Sequence, residues 1–265
     1  MLQALSIAAT GMDAQETRIE VIANNLANAS SAGFKVSRAR FQDLLYLTEQ
    51  QAGTQSSQVS YVPTGRSIGL GTKTAAVDQI FTEGQLTNTT NPTDVAIQGD
   101  GFFQIALPDG TAAYTRDGSF RLNQNGQLVT LDGYPVQPAI SVPQGARNMT
   151  IGPDGTISVQ VGNATTPTTV GQLQITRFIN PAGLQPMGQN MYVQTQAAGP
   201  PQVGVAGQNG FGSVLQGYLE MPNESVVSEM VEMIEAQQAY EAGSKALQTA
   251  DNMQSVANGL VNSNG

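Results

Sequence analysis

Neither cysteine nor histidine occurs among the 265 residues, tryptophan is missing too, and only 12% of the side chains are charged. Without cysteine there is no disulfide, no thiolate nucleophile and no Cys-ligated metal. Without histidine the usual general base and the commonest metal ligand are gone, so a Ser–His–Asp triad, a Cys–His pair and a His-ligated zinc centre are excluded. Average soluble proteins carry about 25% charged residues; here Gln, Asn, Ser, Thr and Gly take their place. Uncharged polar surface can be buried against a neighbour without desolvating ions, which suits a protein that assembles and suits many secreted β proteins as well. The net charge of −9 and the lack of a long Lys/Arg run argue against nucleic acid and against an anionic membrane surface. No stretch approaches the roughly 18 apolar residues of a membrane-spanning helix. The first seven residues have neither a basic nor a continuous apolar region, so they are not read as a cleaved secretory signal.

What the chain does have is a rhythm at each end. From Ser225 to Val261, apolar or small residues recur at steps of three and four: Met230, Met233, Gln237, Tyr240, Ser244, Leu247 and Ala250, with Ile234 filling the stripe. That spacing predicts one α-helix with a narrow seam. Glu229, Glu232 and Glu235 fall on its other side. At about 1.5 Å per residue it would run on the order of 55 Å, long for a globular helix. The same steps appear near the start, through Leu5, Ala8, Met12, Gln15, Ile19, Ile22, Leu26 and Ala29. Two such helices can pack on a single globular core. Seams this narrow, with Ala and Gln in them, better suit close helix–helix contacts repeated between subunits.

The first helix is predicted to end between Asn28 and Gly33, because Asn24, Asn25 and Asn28 are poor interior helix formers and Gly33 can take a left-handed closing conformation. Lys35, Arg38 and Arg40 follow as a small basic cluster. It is either a solvated strand or helix end, or a set of cations that meets the Glu-rich face of the last helix in the same or a neighbouring subunit. Residues 41–52 are locally apolar and read as a short helix or strand. Residues 53–73, rich in Ser, Gln, Thr and Gly with Pro63, Gly65, Gly69 and Gly71, read as an extended loop or long hairpin. Gly69-Leu70-Gly71 lacks the third glycine and the strand–turn–helix setting of a dinucleotide-binding loop.

From Thr74 to Leu219 the pattern turns to β. Short apolar alternations are separated by Asp109-Gly110, Asp117-Gly118, Asn125-Gly126, Asp132-Gly133 and Asp154-Gly155, each a hairpin signal because tight hairpin turns need positive φ. Residues 129–131, 157–161 and 173–175 are predicted strands, and the Pro/Gly-rich residues 199–212 a further loop. The fold class is therefore α+β. Its parts are an N-terminal helix (1–30), an extended connector (31–73), a central all-β domain of sandwich or irregular barrel type (74–220) and a C-terminal helix (221–265). Six aspartates in the β region invite comparison with a glycosidase carboxylate pair, but four of them directly precede a turn glycine, where turn chemistry accounts for them.

Several segments together resemble the flagellar rod and hook family of axial proteins. They are residues 22–35 (with Asn24, Asn25, Leu26, Asn28, Gly33, Phe34 and Lys35), Glu83–Leu86, Asn91–Phe103, Tyr114–Phe120, Gly126–Val129, Gln216–Glu220, Met230–Ile234 and Gln238–Glu241. Within the family, the length and the inserted loop at 53–73 are most similar to members that build the distal rod. The resemblance implies a structural subunit, not an enzyme and without cofactors, that polymerises helically into the drive shaft of the basal body. It implies a periplasm-spanning location, reached through the flagellar type III export apparatus without a cleaved signal. The implied partners are further copies of the chain in a helical tube, proximal rod subunits, hook or hook-junction protein and outer bushing ring proteins. The expected helix seam between subunits is Leu5, Met12, Ile19, Ile22, Leu26, Met230, Met233, Ile234, Tyr240 and Leu247, and the expected stiffness loop holds Pro63, Gly65, Gly69 and Gly71. The alternatives are another axial subunit, proximal rod or hook, and a secreted all-β adhesin or glycan-binding module.

Overall fold

The computed structural model describes residues 2–51, 63–162 and 166–263. The chain divides into two compact units: residues 1–26, 37–78 and 226–265 form one, and residues 27–36 and 79–225 the other. Residues 31–36, assigned to the connector by sequence, thus belong with the β unit.

The first unit holds two long helices, α1 (Leu2–Ala27) and α2 (Val226–Ser263), and four strands, β1 (Ser37–Asp43), β2 (Tyr46–Gln50), β3 (Arg66–Gly69) and β4 (Thr72–Gln79). The helices run antiparallel, since Asn25 meets Glu229 and Arg18 meets Glu232, while a Cβ on Gly243 would lie 2.9 Å from Met12. The small side chains Ala14 and Ala236 are buried, and so is Ile22. β1 pairs with β4, and β2 with β3 in antiparallel register from Tyr46↔Gly69 to Gln50↔Arg66. In the stretch 53–73, expected as a loop or long hairpin, the described part is hairpin; residues 52–62 lie outside the described residues. No described helix is long and apolar enough to cross a membrane.

The second unit is built on a seven-stranded sheet. Its order is Gln185–Gly188, Met191–Val193, Ala112–Thr115, Phe102–Ala106, Gln174–Arg177 and Gln202–Val205, with Val136–Gln137 also on Phe102–Ala106. A three-stranded sheet is formed by Ala146–Ile151, Thr156–Val161 and Thr168–Gln172. Alternation along the strands sends Phe103, Ile105 and Ile175 from the first sheet and Ile151, Ile157 and Val159 from the second into one core. The opposite face of the large sheet carries an aromatic cluster of Phe102, Tyr114, Phe178 and Tyr192, with Phe81 packed against it. Its rings meet edge to face, as in Tyr114–Phe178 at 4.8 Å.

Two local expectations fail for identifiable reasons. Gly110, Gly126, Gly133 and Gly155 have the positive φ their turns require, but Gly118 does not. Gly118 is a glycine because a Cβ there would collide with the carbonyl oxygen of Val95, so close strand packing selects it instead of turn geometry. The Pro/Gly-rich residues 199–212 contain the edge strand Gln202–Val205, paired to Gln174–Arg177. The two prolines before it cannot donate to a ladder, which suits the start of an edge strand.

Candidate functional site

The expected helix seam comes apart into two faces. In the first unit Ile22 is buried, and Leu5, Met12, Ile19, Leu26, Met233 and Leu247 are half-buried. Met230 and Ile234, each 51% exposed, and Tyr240 point away from that side, together with Val227 and Val231. The inward residues of α2 are Glu229, Glu232, Met233, Ala236, Gly243, Ser244, Leu247, Ala250 and Gln254, so the expected seam coincides with this face at Met233, Ser244, Leu247 and Ala250 and leaves it at Met230, Gln237 and Tyr240. α2 therefore keeps a second apolar stripe, Val227–Met230–Val231–Ile234, that α1 leaves uncovered.

Asn25 fixes the corner where α1, β1 and the start of α2 meet. Its Oδ1 accepts from the Ser37 amide (3.0 Å), and its Nδ2 donates to Ser37 O (2.9 Å) and Glu229 Oε2 (3.3 Å). A buried asparagine whose two amide atoms both bond to backbone satisfies the donor and the acceptor of the half-buried strand start at once. The basic cluster splits three ways. Arg38 does meet the Glu-rich face, at 3.7 Å from Glu232, which Arg18 also approaches. Arg40 turns to Asp78 on β4, and Lys35 goes elsewhere. These surface pairs, a third or more exposed, are each worth at most about 1 kcal/mol.

Lys35 lies in the second unit, 0% exposed, with its Nζ 2.6 Å from Glu220 Oε1 and 2.6 Å from Thr82 O. Glu220 is fully buried as well, and its Oε1 also accepts from the Gly84 amide at 2.9 Å. Arg116, 3% exposed, donates to Glu220 Oε2 (3.2 Å), Ile97 O (3.4 Å) and Gly99 O (2.8 Å), with its guanidinium 5.4 Å from the Phe102 ring centre. Burial pushes the Lys35 ammonium below the ordinary lysine range, against the pull of Glu220. Burial, with the charge of Glu220 added, raises the Tyr192 hydroxyl well above its ordinary value.

Backbone bonds tighten this clamp. The Gly33 amide donates to Glu220 O (2.7 Å), the Val36 amide to Asn223 Oδ1 (3.1 Å), and Asn223 Nδ2 to Ile80 O (2.7 Å). Asn190 Nδ2 holds Ala32 O at 2.9 Å, while the Asn28 carbonyl accepts from Ser31. Three stretches far apart in sequence, 32–36, 80–84 and 220–223, are thus pinned together. Gly33 sits at φ +70°, and a Cβ there would collide with the backbone of Asp117. Gly33→Ala is expected to destabilise the second unit by about 3 kcal/mol or more, checked by urea unfolding.

Lys35, Arg116 and Glu220 fall in three separate family-like segments, and nothing in a single sequence says that they touch. Of the expected stiffness-loop residues, Pro63 and Gly65 are exposed in the hairpin and Gly69 stands opposite Tyr46. Gly71 is the one held by conformation, with φ +112°, and a Cβ there would collide with the Thr10 hydroxyl. The turn aspartates serve their turns: Asp109 accepts from Thr111 (2.9 Å), Asp117 from Ser119 (2.9 Å) and Asp154 from Thr156 (3.1 Å). Asp94 instead pairs with Arg121 at 3.0 Å.

Comparison with known proteins places these features in a family. Residues 5–35 match the model of the flagella basal body rod protein, residues 96–159 that of the flagellar hook protein FlgE/F/G D1 domain, and residues 215–260 that of the flagellar basal body rod FlgEFG protein C-terminal region. The flagellar basal-body rod protein FlgG of Borreliella burgdorferi is 48% identical over 262 residues, covering 98% of this chain and 99% of its own length. That of Agrobacterium fabrum is 49% identical over 256 residues, covering 96% and 98%, and that of Bacillus subtilis 36% over 257 residues, covering 95% and 96%. The chain therefore belongs to the flagellar basal-body rod protein family.

Proposed function

We propose that this chain is a structural subunit that polymerises helically into the distal rod of the bacterial flagellar basal body, transmitting torque and enclosing the export channel. The observation that carries the assembly mechanism is the uncovered stripe Val227–Met230–Val231–Ile234 on α2. Met230, Val231 and Ile234 are each 51% exposed and Val227 69%, so a second copy packed on this face would recover roughly half of the 1.5–3 kcal/mol of full burial for each, about 1–1.5 kcal/mol. The near full-length similarity to rod proteins of the FlgG type supports the distal position. In this reading the chain does no chemistry. Its further partners are proximal rod subunits, the hook or hook-junction protein, the bushing ring and the type III export apparatus, and its place is the periplasm-spanning part of the basal body. Electron microscopy of the purified protein at high concentration tests the reading. Straight tubes are expected; a monomer or a closed dimer at every concentration would contradict it.

The β2–β3 hairpin supports a role in stiffness. Leu45 is 83% exposed, Tyr46 59% and Leu47 44%, more apolar surface than a two-stranded ribbon can keep in water by itself. Bridging to an adjacent copy would cover it and resist bending. Removing residues 54–71 is expected to yield curved or supercoiled tubes. Tubes as straight as those of the intact chain, measured as persistence length on micrographs, would count against the idea.

A further inference from the structure

The first unit leaves two apolar faces open, and they differ in shape and in charge. On the β2–β3 hairpin, Leu47 and Ile68 are register partners, so their side chains share one face of the ribbon. Leu45 stands two residues before Leu47 and Arg66 two before Ile68, and the same alternation puts both on that face. Arg66 is 72% exposed and bonds Glu49 at 2.7 Å, so the apolar face carries a neutral ion pair at its edge. The second open face is the α2 stripe through Met230, Val231 and Ile234. Residues 226–244 around it hold four glutamates and no lysine or arginine. Glu235 is 64% exposed and meets Arg18 only at 3.9 Å. The two faces are alike in size. The stripe runs about 10 Å from Val227 to Ile234, and the hairpin face about 7 Å from Leu45 to Leu47 with about 5 Å more across to Ile68.

We propose that the Leu45–Leu47–Ile68 face of one copy seats on the Met230–Val231–Ile234 stripe of the next, with Arg66 toward the exposed glutamates of that helix. The pairing rests on the helical assembly proposed above and adds which surface meets which. Stripe against stripe would set the glutamates of one α2 against those of another, and such a like-to-like contact closes into a dimer. Hairpin on stripe joins two different surfaces. Each added copy then presents a fresh hairpin or a fresh stripe, so the contact propagates without closing. A guanidinium has five N–H donors, so Arg66 can hold Glu49 and a glutamate of the neighbouring α2 together.

The chain has no cysteine, so introduced thiols report cleanly. Copies of Leu47→Cys mixed with copies of Ile234→Cys, assembled into tubes and treated with a short bismaleimide, are expected to yield a cross-linked pair, which joins separate copies by construction. The double variant Leu47→Cys, Ile234→Cys is expected to yield a ladder of covalent multimers. Thr48→Cys, on the opposite face of the hairpin, is the control in place of Leu47→Cys and should lose the link. Arg66→Glu, which puts a carboxylate against the acidic helix, is expected to raise the concentration needed for tubes about tenfold. Tubes without the mixed link, a link equally strong with Thr48→Cys, dimers from Ile234→Cys alone, or an Arg66→Glu chain that assembles like the parent would each overturn this pairing and leave helical assembly standing. A parent chain that forms no tubes would overturn both.

Discussion

Glu220→Gln is expected to lower the stability of the β unit by about 3–5 kcal/mol, read by urea unfolding of the monomer with near-ultraviolet circular dichroism. The amide would leave Lys35 and Arg116 as two buried cations with no counter-charge, since both now bond to that carboxylate at 2.6 and 3.2 Å. Against a typical total of 5–15 kcal/mol, this is a large fraction. Lys35→Met is expected to cost less, about 1–2 kcal/mol, because Glu220 keeps Arg116 and only the bonds to Glu220 and Thr82 O are lost. The double variant Lys35→Met, Glu220→Gln should be more stable than Glu220→Gln alone, since it removes one of the two stranded cations. A Glu220→Gln protein as stable as the parent would remove the clamp from this account. The pH dependence has a definite sign. Burial holds Lys35 below the ordinary lysine value of 10.5, so the folded chain releases this proton before the unfolded chain does. Stability relative to Lys35→Met therefore rises with pH as it climbs toward 10.5, and the full cost of the buried charge is carried below that window.

Met230→Asp combined with Ile234→Asp is expected to raise the concentration needed for tube formation by at least about 100-fold, equivalent to about 2.7 kcal/mol per subunit contact. Each side chain is half exposed in the single chain, so each has burial still to gain. A carboxylate at either position would instead be desolvated in the contact. Because α1 does not cover these positions, the circular dichroism and the unfolding midpoint of the monomer should be almost unchanged. Ala236→Asp is the contrasting control. Ala236 is fully buried, so this substitution should damage the monomer itself. Normal assembly by the outer-stripe double variant, checked by sedimentation, would mean that α2 is covered by something other than a second copy.

The terminal helices were legible because three-and-four spacing survives any later packing, but their facing was not. Spacing alone does not distinguish the face that α1 covers from the next one round, and the sequence-derived seam mixed Met233 and Leu247 from one with Met230 and Ile234 from the other. Turn glycines were legible where φ demanded them, at 110, 126, 133 and 155, and misread at Gly118, whose reason is the distant carbonyl of Val95. The strand Gln202–Val205 hid among prolines and glycines because an edge strand tolerates them. Lys35 is the sharpest case. Beside Arg38 and Arg40 it reads as one of three surface cations, and its burial comes from groups distant in sequence, Thr82 O, Glu220 and Arg116, 47, 185 and 81 residues away.

Hydrogen exchange across residues 5–26 and 230–256, compared between dilute monomer and assembled tubes, tests most directly whether the chain ends find their remaining burial in other copies. Partial protection in the monomer, where α1 and α2 cover only one face of each other, and much stronger protection in the tube are expected, because helices gain most of their stability from tertiary packing. Full protection of both helices in the dilute monomer, unchanged on concentration, would contradict the account.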